Sequence, residues 1–184
     1  GYACRNRREK NPSFVHGRTI NEMIVEEYKN FLDKDFIDYL TNHYLINTQH
    51  QYGHASRPGI TKGTFFYTEV HNDGVTNFVT YKILNKFKVN QFKRIYINMQ
   101  FNGMDGGWHK DDGDRTYMLM VTPTLKKDSG LFEIKDKDNK VHKITFEQNK
   151  LVVFNAKLWH RGLSPKEKGI PRITLAYKGI QNEI

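Results

Sequence analysis

The second half of the chain is a succession of short β-like runs, with turn signals and no helical pattern between them. The runs are rich in β-branched and aromatic residues, which favour strands. They occupy residues 92–101, 116–122, 130–135, 141–146, 151–155 and 172–178, with the DKDN of 136–139 as a hairpin turn. Consecutive strands without helices between them pair antiparallel. The pattern therefore predicts a β-sandwich or barrel of the jelly-roll type.

The first half predicts helices that support this β core. Residues 23–32 favour a strand leading to a turn, and Asp33 is a good N-cap for a helix over 34–45 with one apolar face. A second amphipathic helix is predicted over 75–87. Residues 47–64 are rich in Gly and Pro and are expected to form a long loop, a candidate lid over a site.

A chain of 184 residues suits one domain with or without an arm. We expect a basic N-terminal arm at 1–18 and a single domain at 19–184. Within that domain, 19–90 would give helical support and 91–180 would form the jelly-roll core. The resulting fold class is α+β, mainly β.

The net charge of +9 is uneven along the chain, because residues 1–18 alone carry five Lys and Arg against one Glu. A second basic cluster consists of Lys82, Lys86, Lys88, Lys93 and Arg94. Such clusters fit an anionic partner, and they fit equally a solvated surface with a flexible arm.

The single cysteine, Cys4, excludes an internal disulfide and a thiolate metal cluster. Any metal must therefore be bound by His and carboxylates. The chain has no run of about eighteen apolar residues and no apolar signal core behind Gly1. The expected location is intracellular, in the cytoplasm.

A candidate metal site lies in the acidic stretch 105–115. In an extended chain the side chains of residues i and i+2 point to the same face, so His109 and Asp111 can bind one ion. His160 follows a hydrophobic strand further along the chain. Two His and one carboxylate form the facial triad of non-haem Fe(II) oxygenases, which leaves three coordination positions open.

A second His-x-Asp pattern competes with this assignment. His71 and Asp73 have the same spacing, but Gly74 and a helical pattern follow them, so nothing aligns their side chains. We therefore interpret the pair at 109–111 as the metal-binding one. His160 taken alone would be read as a structural histidine.

Arg172 and Thr174 share one face of the last predicted strand. An Arg binds a carboxylate through two parallel hydrogen bonds, and a neighbouring hydroxyl adds a third. Beside a triad with open positions, the expected ligand is a dicarboxylate that chelates iron at its other end, namely 2-oxoglutarate. The alternative is an ordinary salt bridge of Arg172.

Taken in order, the motifs are His109-x-Asp111, SGLF at 129–132, LVVF at 151–154, His160-Arg161-Gly162 and Arg172-x-Thr174. This order resembles the 2-oxoglutarate/Fe(II)-dependent dioxygenases, more narrowly their prolyl 4-hydroxylase-like branch with its compact phage and bacterial members. The resemblance covers about residues 23–178. It implies a double-stranded β-helix, a cupin-like jelly roll, with flanking N-terminal helices.

By this resemblance His109, Asp111 and His160 are iron ligands, and Arg172 binds the distal carboxylate of 2-oxoglutarate. The implied enzyme is an oxidoreductase that uses Fe(II), 2-oxoglutarate and O2. It hydroxylates a substrate C–H bond and releases succinate and CO2, with ascorbate as a candidate reductant. The implied substrate is a proline in a peptide or protein, and the basic charge suggests an acidic partner.

The chain departs from the family pattern at one cosubstrate position. Many relatives have a Tyr about ten residues before the first iron His, whereas this chain has QFNG at 100–103. Gln100 or Asn98 is the candidate replacement, and Thr122 is a further candidate for a cosubstrate hydroxyl. Collagen-type enzymes have Lys at the place of Arg172, and the hypoxia-sensing type has Arg.

Tyr52 and Arg57 in the predicted loop, together with Arg161, are candidate substrate contacts. Trp108 and Trp159 each precede an iron His and are expected to face away from the metal and pack in the core. Two other functions stay open: a nucleic-acid-directed oxygenase resembling the alkylation-repair enzymes, and a non-catalytic metal-binding jelly-roll module.

Overall fold

The computed structural model describes residues 24–57, 59 and 63–181, so the predicted arm at 1–18 lies outside the described residues. Two helices, α1 (Lys34–Ile46) and α2 (Gly74–Lys86), form where the sequence predicts them. Neither of these two helices is long and apolar enough to cross a membrane.

Ten strands form two antiparallel sheets within the described part of the chain. The strands are β1 (Val25–Tyr28), β2 (Gln51–His54), β3 (Phe65–Glu69), β4 (Gln91–Gln100), β5 (Arg115–Met120), β6 (Phe132–Lys135), β7 (Val141–Ile144), β8 (Lys150–Asn155), β9 (His160–Gly162) and β10 (Arg172–Ile180). The large sheet has the order β1-β8-β5-β10-β4-β3-β2, and the small sheet has the order β7-β6-β9. The result is a mainly β, α+β jelly roll, as predicted.

The two faces of the large sheet have different partners, because alternate residues of each strand point to opposite sides. On β10, Ile173, Leu175 and Tyr177 join the core cluster that also contains residues of α1 and α2. Arg172 and Thr174 point to the other side and line a pocket. Strand β10 therefore contributes alternate residues to the hydrophobic core and to the pocket.

A second core cluster lies between the large and small sheets. Met118 and Met120 of β5 pack there with Phe132 and Ile134 of β6. The small sheet thus covers the face of the large sheet that the helices leave free. The pocket lies beside this second core. Its lining includes Met118 and Phe132 of the core as well as polar residues.

The long loop expected at 47–64 is only partly correct. Residues Gln51–His54 form β2, which pairs antiparallel with β3 through a register shift between Tyr52 and His54. Gly53, at φ +105°, allows this irregularity because it has no Cβ. The sequence did not predict β2, β3 or β9. All three are short, and neighbouring strands stabilise them by pairing.

Candidate metal centre

The fold brings His109, Asp111 and His160 together from two distant segments. His109 lies in the β4–β5 connection and forms an isolated antiparallel bridge with His160 at the start of β9. Each of the two residues donates its backbone N–H to the other's carbonyl oxygen, at 3.0 and 2.9 Å. The Asp111 N–H donates to the Ala156 carbonyl at 2.9 Å. Backbone pairing therefore positions all three side chains.

The donor atoms of the three side chains all lie within 4.8 Å of one another. Nε2 of His160 is 3.4 Å from Oδ2 of Asp111, and Nε2 of His109 is 3.8 Å from Oδ1. Nδ1 of His109 donates to the Gly107 carbonyl at 2.9 Å, and Nδ1 of His160 donates to the Leu158 carbonyl at 2.8 Å. Each ring therefore presents the lone pair of Nε2, the atom that a metal needs.

Asp111 is almost completely buried and is held from two sides. Thr116 donates its hydroxyl to Oδ2 at 2.7 Å, and Nζ of Lys178 is 3.2 Å from Oδ1. Burial alone would raise the pKa of Asp111, but the contact with His160, the charge of Lys178 and the hydrogen bond from Thr116 hold that pKa well below its usual range. The carboxylate is therefore ionised at neutral pH.

The site fits a divalent metal ion by the chemistry of its donors. Burial, and then the neighbouring His160, lower the pKa of His109 to about 4, so its imidazole is neutral. A neutral imidazole at His109 and an ionised carboxylate at Asp111 are the forms that bind metal. Three protein ligands on one side leave room for further ligands.

Arg172 is a fully buried cation beside this centre. Its Nε donates to the Gly130 carbonyl at 2.9 Å, and its Nη1 donates to Oε1 of Gln100 at 2.8 Å. Its Nη2 has no hydrogen-bond partner among the described residues. Burial lowers the pKa of Arg172 to about 10, which still leaves it charged at neutral pH. A buried charged donor without a partner is costly, so this atom is available to a hydrogen-bond acceptor on a ligand, and an anionic acceptor would suit its charge.

Two glycines make room for the Arg172 guanidinium. A Cβ at Gly162 would lie 3.1 Å from Nη1 and 3.2 Å from Nη2. A Cβ at Gly130 would lie 2.4 Å from Cδ1 of Leu125 and 3.2 Å from Cδ of Arg172. Gly130 also has φ +61°, which favours glycine. The backbone therefore approaches the Arg172 side chain closely from the β5–β6 connection and from β9.

The three triad residues and Arg172 line one pocket, which is partly open to solvent. Its polar wall includes Asn98, whose Oδ1 is buried without a partner among the described residues. Its apolar wall contains Met118, Phe132 and Phe154. Thus the metal donors and two unpaired polar atoms line the same space.

The other predicted cosubstrate residues take different places. Thr174 lines the pocket, as the alternation along β10 predicted. Gln100 also lines it, but its amide binds Arg172 and donates to the Met104 and Gly162 carbonyls. Thr122 is absent from the pocket lining, and its hydroxyl accepts from the Ile173 N–H at 2.9 Å.

Sequence reasoning missed Lys178 as a site residue. Lys178 lines the pocket and lies 3.1 Å from Asp112 as well as close to Asp111. The signal was present, because positions 172, 174, 176 and 178 share one face of an extended strand. Asp112, the residue after the metal-binding carboxylate, is exposed and pairs with Lys93 at 2.8 Å.

The three candidate substrate residues, Tyr52, Arg57 and Arg161, are absent from the pocket lining. Tyr52 is exposed on β2, and its hydroxyl contacts that of Thr64 at 3.0 Å. Arg57 lies over the Trp159 ring at 6.0 Å. Arg161 pairs with Glu133 and lies 4.6 Å from the centre of the Trp108 ring.

The expectation that both tryptophans pack in the core was wrong. Trp108 and Trp159 are only partly buried, and neither belongs to a core cluster. Cationic side chains lie over both rings instead. Alternation along an extended chain indicates that these side chains point away from the metal ligands. It does not indicate which residues cover them there.

In the competing His-x-Asp pair, Asp73 stabilises the helices and does not belong to the candidate metal site. Asp73 caps α2 by accepting from the Thr76 N–H at 3.1 Å, and it pairs with Nε2 of His43 at 3.0 Å. His71 is exposed. Among the described residues, the grouping that fits a metal is the one at 109, 111 and 160.

Comparison of the sequence finds no matching family model and no similar curated protein. Comparison of the fold finds solved structures. A prolyl hydroxylase from Trichoplax adhaerens, in complex with a hypoxia inducible factor peptide fragment, matches with TM-score 0.72 at 12% identity, over 88% of this chain and 86% of that one. A Pseudomonas putida prolyl-4-hydroxylase matches with TM-score 0.65 at 14% identity, over 89% and 96%.

A Burkholderia pseudomallei oxidoreductase of the 2OG-Fe(II) oxygenase family matches with TM-score 0.67 at 12% identity, over 89% of this chain and 91% of that one. This chain has the 2OG-Fe(II) oxygenase fold. At such low identity the likeness extends to the 2OG-Fe(II) oxygenase fold alone.

Proposed function

We propose that this protein is an Fe(II)- and 2-oxoglutarate-dependent oxygenase, with residues 19–184 acting as a single domain. The observation that carries the proposal is the unpaired Nη2 of buried Arg172, in the pocket that His109, Asp111 and His160 also line. One site thus offers metal donors and a buried carboxylate-binding cation, the two features that 2-oxoglutarate requires.

Each residue has a role in this proposal. His109, Asp111 and His160 bind Fe(II), while Arg172 and Thr174 bind the distal carboxylate of 2-oxoglutarate and Asn98 lines the same wall. With both bound, the iron supplies oxidation of a substrate C–H bond to C–OH by O2, and 2-oxoglutarate leaves as succinate and CO2. The protein orients the reactants and excludes water with the apolar wall.

The substrate that we propose is a proline in a peptide or protein, hydroxylated in the pocket that His54 and Ser56 also line. The likeness in fold to prolyl hydroxylases supports this choice. A nucleic-acid-directed oxygenase is the second candidate, favoured by the net charge of +9. Lys178 lines the pocket but does not support nucleic-acid binding, because its positive charge is already paired with Asp111 and Asp112.

A non-catalytic metal-binding module is a weaker alternative. A module that binds only metal has no use for a buried, incompletely paired Arg172, which costs folding free energy. An apolar residue of similar size would avoid this cost. The presence of this cation therefore supports a cosubstrate.

The test of the proposed function is anaerobic absorption spectroscopy. Fe(II) with 2-oxoglutarate should give a visible charge-transfer band, and Arg172→Ala should raise the 2-oxoglutarate concentration needed while iron still binds. Absence of the band in the wild-type protein would refute the proposal. Succinate release with proline-containing peptides, compared with oligonucleotides, then discriminates between the two substrate classes.

A further inference from the structure

The two tryptophans of the chain lie on one face of the small sheet, directed away from the metal centre. Because His109 is opposite His160 in an antiparallel bridge, Trp108 lies opposite Arg161, and Lys110 lies opposite Trp159. We call this surface the basic–tryptophan face. It consists of the two tryptophans and the cations over their rings: Arg57, Lys110, Lys135 and Arg161.

The cations of this face are held close to the aromatic rings. Nζ of Lys135 is 4.5 Å from the centre of the Trp108 ring, and Nζ of Lys110 is 5.2 Å from the centre of the Trp159 ring. Within the described residues, neither lysine has a carboxylate partner. Lys110 and Lys135 therefore carry positive charge that no acid among the described residues neutralises.

The same face already binds one carboxylate. Glu133 lies between Lys143 and Arg161 in register across β7, β6 and β9. Its carboxylate is 2.8 Å from Nη2 of Arg161 and 3.9 Å from Nζ of Lys143. An acidic side chain arriving from a partner would meet the same kind of donors at Lys110 and Lys135.

The position of the face relates it to the substrate. Lys110 lines the pocket as well as lying over Trp159, so the face begins at the mouth of the metal site. A peptide with one residue in the pocket must pass over the rim. Its flanking residues would then lie within reach of Lys110 and, beyond it, of Lys135.

We propose that the basic–tryptophan face binds an acidic segment of the polypeptide substrate, next to the residue that enters the pocket. This rests on the proposed peptide-directed function. Carboxylates are favoured over nucleic-acid bases because cations already lie over both indole rings, and base stacking needs those rings. The face would select substrates through charge, while the pocket selects the residue that reacts.

The test uses intrinsic fluorescence, because the chain contains 2 Trp and both lie on this face. The full chain, without added metal or 2-oxoglutarate, is titrated with a short peptide in which glutamates flank one proline. The comparison ligands are the same peptide with glutamines and an oligo-dT of similar length. We expect a saturable fluorescence change with the glutamate peptide, weakened by salt.

The variant Lys110→Gln/Lys135→Gln should weaken binding of the glutamate peptide roughly tenfold, because two ion pairs between these lysines and the peptide glutamates would be lost. The matched control is Lys82→Gln/Lys86→Gln on α2, which also removes two lysines that lie over aromatic rings. The control should bind as the wild type does.

Three results would overturn the proposal: equal binding of the glutamine peptide, tighter binding of oligo-dT, or equal weakening in both double variants. The iron and 2-oxoglutarate absorption band is measured separately. Peptide binding without the band would refute the proposed function alone. The band without peptide binding would refute this inference alone.

Discussion

Gln100 on β4 faces Arg172 on β10, and its amide oxygen accepts a hydrogen bond from Nη1 at 2.8 Å. The Gln100 amide nitrogen donates to the Met104 carbonyl at 2.8 Å and to the Gly162 carbonyl at 3.0 Å. One amide thus ties the guanidinium to the β4–β5 connection and to β9. Gln100 positions the cation that would bind the cosubstrate.

Gln100→Leu should therefore impair 2-oxoglutarate binding while metal binding is kept. Loss of a hydrogen bond to a charged group costs about 1.5–3 kcal/mol, so the 2-oxoglutarate concentration at half saturation should rise about tenfold or more. Anaerobic titration of the absorption band measures this. The control Gln51→Leu, at an exposed site on β2, should leave it unchanged. Equal effects of both changes would contradict the role of Gln100.

His109→Ala should abolish tight binding of metal, because it removes one of three protein donors. Calorimetric titration with Mn(II) measures the affinity without oxidation of the ion. His71→Ala is the matched control, since His71 belongs to the competing His-x-Asp pattern and is exposed. Loss of metal binding in His71→Ala but not in His109→Ala would place the metal at His71 and Asp73 instead.

Gly162→Ala should disturb Arg172 selectively. The added Cβ would lie 3.1 Å from Nη1, so the guanidinium must shift by a few tenths of an ångström. We expect weaker 2-oxoglutarate binding with Mn(II) affinity within about twofold of the wild type, since no triad side chain is removed. A crystal structure of the variant with Arg172 unmoved would show that the close approach has no consequence.

Ionisation of Glu147 should make the free energy of unfolding fall as the pH is lowered. Hydrogen bonds from Lys29 and then from Lys150 lower the pKa of Glu147 to about 2. A carboxyl whose folded pKa is depressed stabilises the fold above its unfolded pKa of about 4.3, and that stabilisation is lost as the pH falls towards 2. The deficit of Glu147→Gln relative to the wild type should therefore shrink between about pH 5 and pH 2.

Urea unfolding at neutral and acidic pH measures this deficit. At pH 7 the variant should be less stable by about 1–3 kcal/mol, because Lys150 is 1% exposed and loses an ionised partner. Lys34→Gln, which removes an exposed partner of Asp38, is the control and should change stability little. A deficit of Glu147→Gln that stays constant with pH would contradict the assignment.

Local patterns in the sequence were enough to predict several elements. Helices α1 and α2 form within about two residues of their predicted bounds, because an apolar face with helical spacing is visible in the local sequence. Asp33 occupies the N-cap position of α1 as predicted, but its side chain makes no capping hydrogen bond. Alternation along β10 placed Arg172 and Thr174 on one face. The i, i+2 rule placed His109 beside Asp111, because side-chain direction in an extended segment is a local property.

Only the tertiary structure decided what depends on contacts between distant segments. Gln100 became the partner of Arg172, and Lys178 the partner of Asp111, through registers that no local pattern contains. Strand β2 exists because β3 supplies its hydrogen bonds. The sequence determined which way each side chain points along its own strand. Long-range pairing decided which side chains meet, because the free energy of a contact depends on both partners being brought together.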